Sequence, residues 1–459
     1  LIEAGAQIDV QTIEVGEQVY LRGVSSGIEP RTWDVLRDAH VLFKGPITTP
    51  QGGGYKSLNV TIRKTMGLYA NVRPSSSYFP AIDTRHPLMD LVIIRENEED
   101  LYAGIEHRQT AEVYQTLKLI SRPGSERIVR YAFEYARRNK RKIVTCFTKD
   151  NIMKMSDGIF HQVFREIATE YPDIRSEHLI IDIGTAKLAD QPEQFDVIVA
   201  PNLYGDIISD VASQLTGSVG LGVSANIGDT IAMFEAVHGS APDIAGRGIA
   251  NPSGLLLAGV LMMIHLDQPE VAESIHNAWL KTIEEGIHTG DIYQRGRSRE
   301  MVGTTEFANA VIERLGQEPE TLRPVTYTHE REPIKMPQAV HIETNKTLHG
   351  SDVFLDWENE DGRDPDVIGN ILREHANGDG LELVMITNRG QKVFPDGAPE
   401  TFCTDHWRCR FQAPDKSAIT HTQLISLLQR IEAAGLDFIK TENLYNFDGK
   451  PGYSLGQGQ

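Results

Sequence analysis

The sequence predicts an α/β protein with a second, smaller α+β domain at its C-terminal end. Short β-rich runs alternate with amphipathic stretches over roughly the first 330 residues. A segment rich in proline and glutamate interrupts them, and strand and helix patterns resume from about residue 349. A chain of 459 residues also exceeds one compact domain, so two or three are expected.

Val92-Ile93-Ile94, Lys142-Ile143-Val144-Thr145 and Asp196-Val197-Ile198-Val199-Ala200 read as strands, as does Leu179-Ile180-Ile181. Residues 125–139 and 157–170 read as amphipathic helices between them. The longest apolar run, Leu255 to Leu266, is too short for the ~18 residues of a membrane span and reads as a buried helix. Glycine-dense loops fall at 52–54, 217–222 and 246–254. Around 316–348 the pattern dissolves into Gln317-Glu318-Pro319-Glu320, Arg323-Pro324 and Arg331-Glu332-Pro333, which reads as a linker. Beyond it, 353–357, 381–387, 405–412 and 436–445 read as strands, and 364–376 and 420–434 as helices, a pattern that suits a ferredoxin-like or ACT-like sandwich.

A formal net charge of −19 argues against nucleic-acid and anionic-membrane partners, so any anionic substrate needs a local basic pocket. The three cysteines, Cys146, Cys403 and Cys409, form no C-x-x-C pair. Reduced thiols in the cytoplasm, or in the mitochondrial matrix of a eukaryote, are expected. The chain opens at Leu1 in mid-pattern, without Met or a signal-peptide profile, and residues before Leu1 are expected.

Lys44-Gly45-Pro46-Ile47-Thr48-Thr49 leads into Gly52-Gly53-Gly54, where a backbone can run close to a ligand. Ser57 is placed to cap the following helix, and Asn59 and Arg63, four apart, share one of its faces. Arg73 and Arg95 follow near strand ends. The arginine fork suits carboxylates, although a plain glycine turn with surface arginines fits the spacing equally well. Tyr102 is a candidate proton donor and Lys149 a candidate general base; alone, each is more simply a packed tyrosine and a solvated lysine. Asp206 and Asp210, in Asn202-Leu203-Tyr204-Gly205-Asp206-Ile207-Ile208-Ser209-Asp210, lie on one side of a helix start, its other side buried through Ile207-Ile208. Such oxygen ligands suit Mg2+ or Mn2+, and Asp182 is a third candidate acid. Two acids near a helix N-terminus are also favoured by its dipole alone. No G-x-G-x-x-G lies at a strand–helix junction, and Gly217-Ser218-Val219-Gly220-Leu221-Gly222 has the wrong order.

With Glu235-Ala236-Val237-His238-Gly239-Ser240-Ala241-Pro242-Asp243-Ile244 and Asn251-Pro252 added, residues 5–325 resemble the β-decarboxylating dehydrogenases, which act on isocitrate, homoisocitrate, isopropylmalate or tartrate. The family's opening Gly-Asp-Gly-Ile-Gly-Pro strand is not in this sequence. The resemblance implies a non-Rossmann, two-domain α/β fold that forms a homodimer with shared active sites. It implies a large nucleotide-binding domain of residues 1–68 and 217–330, and a small domain of 69–216 with a dimerisation clasp and the metal and substrate residues. A linker of 331–348 and a C-terminal domain of 349–459 follow. For the C-terminal domain, extra dimer contact is favoured over binding of a small effector.

Carried over residue by residue, the resemblance assigns Thr49, Ser57, Asn59, Arg63, Arg73 and Arg95 to substrate, and Tyr102 and Lys149 to catalysis. It assigns Asp182, Asp206 and Asp210 to the metal, with Lys149 and Asp182 given by the neighbouring subunit. Ile47, Thr48, Glu235, His238, Gly239, Ser240, Ala241, Asp243, Ile244, Asn251 and Asp291 are assigned to the cofactor, and Thr49 also matches a nucleotide contact. Isopropylmalate enzymes place apolar side chains where Ser57 and Asn59 stand. Burying polar groups against an alkyl substituent would cost ~1–3 kcal/mol each, so isocitrate is favoured. Asp243-Ile244 stands where NADP-using relatives present Lys-Tyr, with Gly290 and Gln294 at the later positions. A carboxylate there accepts from both ribose hydroxyls and repels a 2′-phosphate, which favours NAD. The alternatives are a homoisocitrate or 3-isopropylmalate dehydrogenase, or a non-catalytic regulatory subunit of a heteromeric isocitrate dehydrogenase.

Overall fold

The computed structural model describes residues 1–49, 57–329, 334, 336–337, 342–360 and 362–456. The Gly52-Gly53-Gly54 turn, and part of the segment read as a linker, lie outside them. Contacts divide the chain into two units. One comprises Leu1–Ala103 with Lys118–Gln338, the other Gly104–Leu117 with Ala339–Gln459.

The first unit is built on an eight-stranded mixed sheet. Its strands lie in the order Val41–Phe43, Ala232–Ala236, Val223–Ile227, Ala70–Ser76, Asp90–Glu96, Val197–Ala200, Ile143–Thr148 and Arg175–Ile180. The last four pair in parallel, and Ala70–Ser76 runs antiparallel to both of its neighbours. The central apolar runs are buried on both faces because helices cover both. Alternation along Asp90–Glu96 sends Val92 and Ile94 into a core with Ile128, Phe133, Phe160 and Val163 of the helices Arg122–Arg138 and Ser156–Ala168. Leu91 and Ile93 enter the opposite core, with Leu188, Ile208 and Ala212 of the helices Ile181–Asp190 and Asn202–Leu215. Ser121 caps Arg122–Arg138, accepting the Gly124 N–H. The Leu255–Leu266 run lies within the helix Ser253–His265, which is buried along most of its length. No helix among the described residues is long and apolar enough to cross a membrane.

Two local expectations are corrected. The strand read through Ile181 ends at Ile180, and Ile181 opens a helix, so Asp182, just beyond the strand as expected, sits in that helix's first turn. Residues 320–327 are a strap, not a free linker. Glu284 accepts the N–H groups of Glu320, Thr321 and Leu322, Asn277 pairs with both backbone groups of Val325, and Leu322 enters the core. Polar composition misleads here because it is the backbone that is held.

The second unit is an antiparallel six-stranded sheet in the order Gln391–Phe394, Glu382–Asn388, His406–Gln412, Lys346–Asp356, Asp437–Phe447 and Lys450–Pro451. Four of these strands, Lys346–Asp356, Glu382–Asn388, His406–Gln412 and Asp437–Phe447, follow with the helices Pro365–His375 and His421–Ala433 in the chain order βαββαβ, and Gln391–Phe394 and Lys450–Pro451 are added at the two sheet edges. Val353, Leu355, Trp407, Cys409 and Phe411 face the helices in one core. The intervening residues Asp352 and Arg410 form a buried pair with contacts of 2.7 and 2.9 Å. The hairpin Glu106–Arg108/Tyr114–Thr116 belongs to this unit. Thr110 donates to Asp405 at 2.6 Å, and Arg363 grips Glu112 through both nitrogens at 2.9 and 2.8 Å.

Candidate active site

Strand ends and helix starts of the first unit converge on a cleft of about 180 Å³, lined by Ile47, Ser57, Asn59, Arg63, Arg73, Arg95, Tyr102, Asp206, Glu235, His238 and Gly239, among others. Each arginine arrives on a rigid element. Arg63 projects from the helix Leu58–Thr65, capped by Ser57, whose hydroxyl accepts the Val60 N–H and a 3.3 Å bond from Thr49. Arg73 lies on Ala70–Ser76, its Nε donating to Asn71 at 2.6 Å and its Nη1 to Ser209 at 2.5 Å. Arg95 lies one residue before the end of Asp90–Glu96 and crosses the start of Asn202–Leu215, donating to the Asn202 carbonyl and side chain. A Cβ on Gly205 would sit 2.6 Å from Arg95 Cγ, so glycine is what lets the guanidinium lie along that helix.

Asp206 gathers the charges. Its Oδ1 accepts Arg95 at 2.5 Å and lies 3.2 Å from Arg73, and its Oδ2 accepts the Tyr102 hydroxyl at 2.5 Å. Burial alone would raise its pKa, but Arg95 and Arg73 hold the carboxyl below its usual range. Burial, with Asp206 beside it, raises that of the Tyr102 phenol, and burial with neighbouring Arg73 brings Arg95 down to about 9. Asp210, more exposed, has its pKa raised by burial and lies 4.0 Å from Arg73. Ile208 is buried as expected, whereas Ile207 is half exposed. Two hard oxygen donors a helical turn apart fit Mg2+ or Mn2+. Two buried polar atoms of the cleft residues, Asn59 Oδ1 and Arg63 Nε, lack partners among the described residues, as fits a wall awaiting a polar ligand.

Asp182 and Lys149 do not line this cleft; they pair with each other at 2.9 Å. Asp182, Asp206 and Asp210 do not gather in one chain. Among the described residues, Asp150, His161 and His178 are the acid–histidine group close enough to hold an ion. The two imidazoles, however, stack 3.6 Å apart at 14°, so no single ion lies in the plane of both.

Of the residues assigned to the cofactor, Ile47, Glu235, His238 and Gly239 line the cleft, and Thr48 donates to Ser240 at 2.8 Å. Ala241 takes a left-handed conformation (φ 44°) before the turn of exposed Asp243 and half-buried Ile244. Asp291 accepts from Ser218, Thr289 and Asn251, and Asn251 in turn accepts the Ser253 N–H. The Gly217–Gly222 segment thus braces Asp291. Glu235 places its carboxylate between Lys44 and Arg63, 2.7 Å from the arginine.

The sequence reading did not single out Lys44, Asn71, Asn202, Ser209 or Asn226. Their signal is spatial only; they orient the arginines and Glu235 from distant segments.

The isocitrate/isopropylmalate dehydrogenase family matches residues 2–311, and the C-terminal domain of bacterial isocitrate dehydrogenase matches 346–459. An isocitrate dehydrogenase [NADP] of Rickettsia bellii is 54% identical, over all of this chain and 95% of its own length. Catalytic subunit 5 of mitochondrial isocitrate dehydrogenase [NAD] of Arabidopsis thaliana is 47% identical over 302 residues, 64% of this chain and 79% of its own. The crystal structure of the TT0538 protein from Thermus thermophilus superposes with a TM-score of 0.92 at 42% identity, covering all of this chain and 92% of that one. On this fold and these matches, the chain belongs to the isocitrate/isopropylmalate dehydrogenase family.

Proposed function

We propose that this protein oxidatively decarboxylates isocitrate to 2-oxoglutarate and CO2, reducing NAD with a divalent metal, as a cytoplasmic homodimer with shared active sites. The observation that carries the reading is the convergence of Arg63, Arg73 and Arg95 on a small cleft that also holds Tyr102 and Asp206. Three guanidiniums match three carboxylates, and Ser57 and Asn59 supply polar rather than apolar wall.

Asp206 and Asp210 would hold Mg2+ or Mn2+ together with Asp182 of the partner subunit. A dication held there would supply Lewis-acid polarisation of the hydroxyl to be oxidised, and a bound nicotinamide would supply the hydride acceptor. The arginines bind and orient the substrate carboxylates. Tyr102, kept protonated, is poised to give its proton to the enolate carbon. Lys149, steadied by Asp182, would serve the neighbouring site and assist Tyr102. The division into a large domain (1–68 and 217–330) and a small domain (69–216) belongs to the same proposal, although contacts count Gly104–Leu117 with the second unit.

For NAD, the support is Asp243, whose carboxylate suits bare ribose hydroxyls and opposes a 2′-phosphate. The second reading is use of NADP, favoured by the relative matched over the whole chain, which is named for NADP.

The test is a spectrophotometric assay with isocitrate, Mg2+ or Mn2+, and each nicotinamide separately. Reduction is expected with isocitrate, only in the presence of dication, and faster with NAD. Reduction with homoisocitrate or 3-isopropylmalate instead would reassign the substrate. No turnover with any of them would move the chain to a regulatory-subunit role.

A further inference from the structure

Lys118 is the least expected charge in the first unit. Its side chain is 12% exposed, and its ammonium sits 2.7 Å from Asp157 and 3.3 Å from Asp100, two carboxylates with no exposure. It also lies 4.5 Å above the Tyr204 ring, with the Tyr204 hydroxyl 3.4 Å away. Burial would lower its pKa, but the hydrogen bond to Asp157 and the charge of Asp100 outweigh it, and the amine is held above its ordinary range.

Each carboxylate uses its second oxygen on a backbone N–H. Asp157 Oδ2 accepts Lys149 N–H at 2.6 Å, fixing the segment from which the candidate base projects. Asp100 Oδ2 accepts Leu203 N–H at 2.8 Å, in the first turn of the helix that carries Asp206 and Asp210. Asp100 is itself held in a left-handed conformation (φ 64°), and its carbonyl accepts the Ala103 N–H, closing the turn that presents Tyr102. A non-glycine residue keeps that conformation where the surrounding contacts fix it.

We propose that Lys118 is a positioning residue for the reaction: through Asp157 it sets the backbone of Lys149, and through Asp100 it sets the turn of Tyr102 and the start of the Asp206 helix. Because Lys149 is read above as serving the partner's site while Tyr102 and Asp206 serve their own, one buried ammonium aligns groups in both sites of a dimer. The two-site part rests on that reading.

Lys118→Met removes the charge at similar length. At saturating isocitrate and Mn2+, kcat should fall at least tenfold, with isocitrate KM within about threefold and a larger solvent isotope effect on turnover. A variant that only melts earlier, with normal kcat and isotope effect, would overturn the proposal. Should Lys118→Met fail to fold, Lys118→Arg keeps the charge but cannot keep both short contacts; kcat should fall at least threefold, and an unchanged value overturns the proposal.

Mixed chains test the two arms. Lys149→Met with Tyr102→Phe should regain up to about a quarter of wild-type activity, from one intact site per heterodimer. If it does not, with chain exchange demonstrated, the shared-site reading fails and Lys118 is judged on kcat alone. If it does, Lys118→Met paired with Lys149→Met, or with Tyr102→Phe, should stay below that control, because each arm spoils the one remaining site. Recovery to the control level in either pairing refutes the two-armed role.

Discussion

Glu235 offers a stability test of the cleft. Its carboxylate is buried between Lys44 and Arg63 and also accepts from Asn226 at 2.9 Å. Burial alone would raise its pKa, but Lys44 and then Arg63 reverse this, and the group is held far below its ordinary 4.5. Glu235→Gln keeps the shape and an acceptor for Arg63 but leaves two buried cations without their counter-charge. Removing one member of a buried ion pair costs ~3–5 kcal/mol; with the acceptor retained, the lower end, about 3 kcal/mol, applies. For a unit of roughly 320 residues, unfolding entropy near ~2.1 cal/mol/K per residue converts that to a Tm loss of about 4–5 °C. The pH dependence follows from linkage. A depressed folded pKa stabilises fully above the unfolded value, and that contribution is lost as pH falls toward the folded value. Calorimetry from pH 8 to pH 4 should therefore show the wild type ahead by a constant margin until about pH 4.5, and the margin shrinking below it. A Tm difference that is absent, or that does not narrow in acid, would refute the pairing as the source of stability.

Gly205→Ala should lower Tm and raise isocitrate KM at least tenfold, since the added methyl meets Arg95 close to its backbone and helix and guanidinium must shift apart; a normal Tm and a normal KM in steady-state assays would show that the close approach is not needed. Tyr102→Phe should leave isocitrate binding by calorimetry within a few-fold while kcat falls at least a hundredfold, because proton transfer by a placed acid contributes ~10²–10⁴. Asp243→Lys with Ile244→Tyr should move the NAD/NADP ratio of kcat/KM toward NADP by at least tenfold, and an unchanged ratio would remove this turn from cofactor choice.

The parts legible in the sequence were those in which one segment carries its own evidence. Val92-Ile93-Ile94 reads as a strand, and its side chains fill the cores on both faces of the sheet; the four-residue spacing of Asn59 and Arg63 puts both in the wall of one cleft. Asp206 and Asp210 were readable from the same periodicity. What stayed hidden depends on distant segments meeting. Lys118, Asp100 and Asp157 form a triad that no local pattern announces, and Lys44 gains its partner only when Val41–Phe43 pairs with Ala232–Ala236. The hairpin Glu106–Arg108/Tyr114–Thr116 has short, mostly exposed strands with no apolar alternation, so periodicity had nothing to report.

The cleft also explains how a chain of net charge −19 can select a polyanion. Among the described residues, Lys44, Arg63, Arg73 and Arg95 are buried around Glu235 and Asp206, with the more exposed Asp210 4.0 Å from Arg73, so the cations outnumber the carboxylates they pair with. Burying those cations is costly, as the depressed pKa of Arg95 and Arg73 records, and a substrate bearing carboxylates offsets that cost directly. Recognition then comes from completing a pre-set charge balance inside low-dielectric walls, where the acidic exterior is too far away and too well screened to compete. Asp206 pairs with Arg95 and Arg73 and accepts the Tyr102 hydroxyl; on the proposed reading, substrate carboxylates would take over those guanidiniums and leave its oxygens to help hold a dication. Substrate and metal binding should therefore be coupled through this one carboxylate, each making the site more receptive to the other.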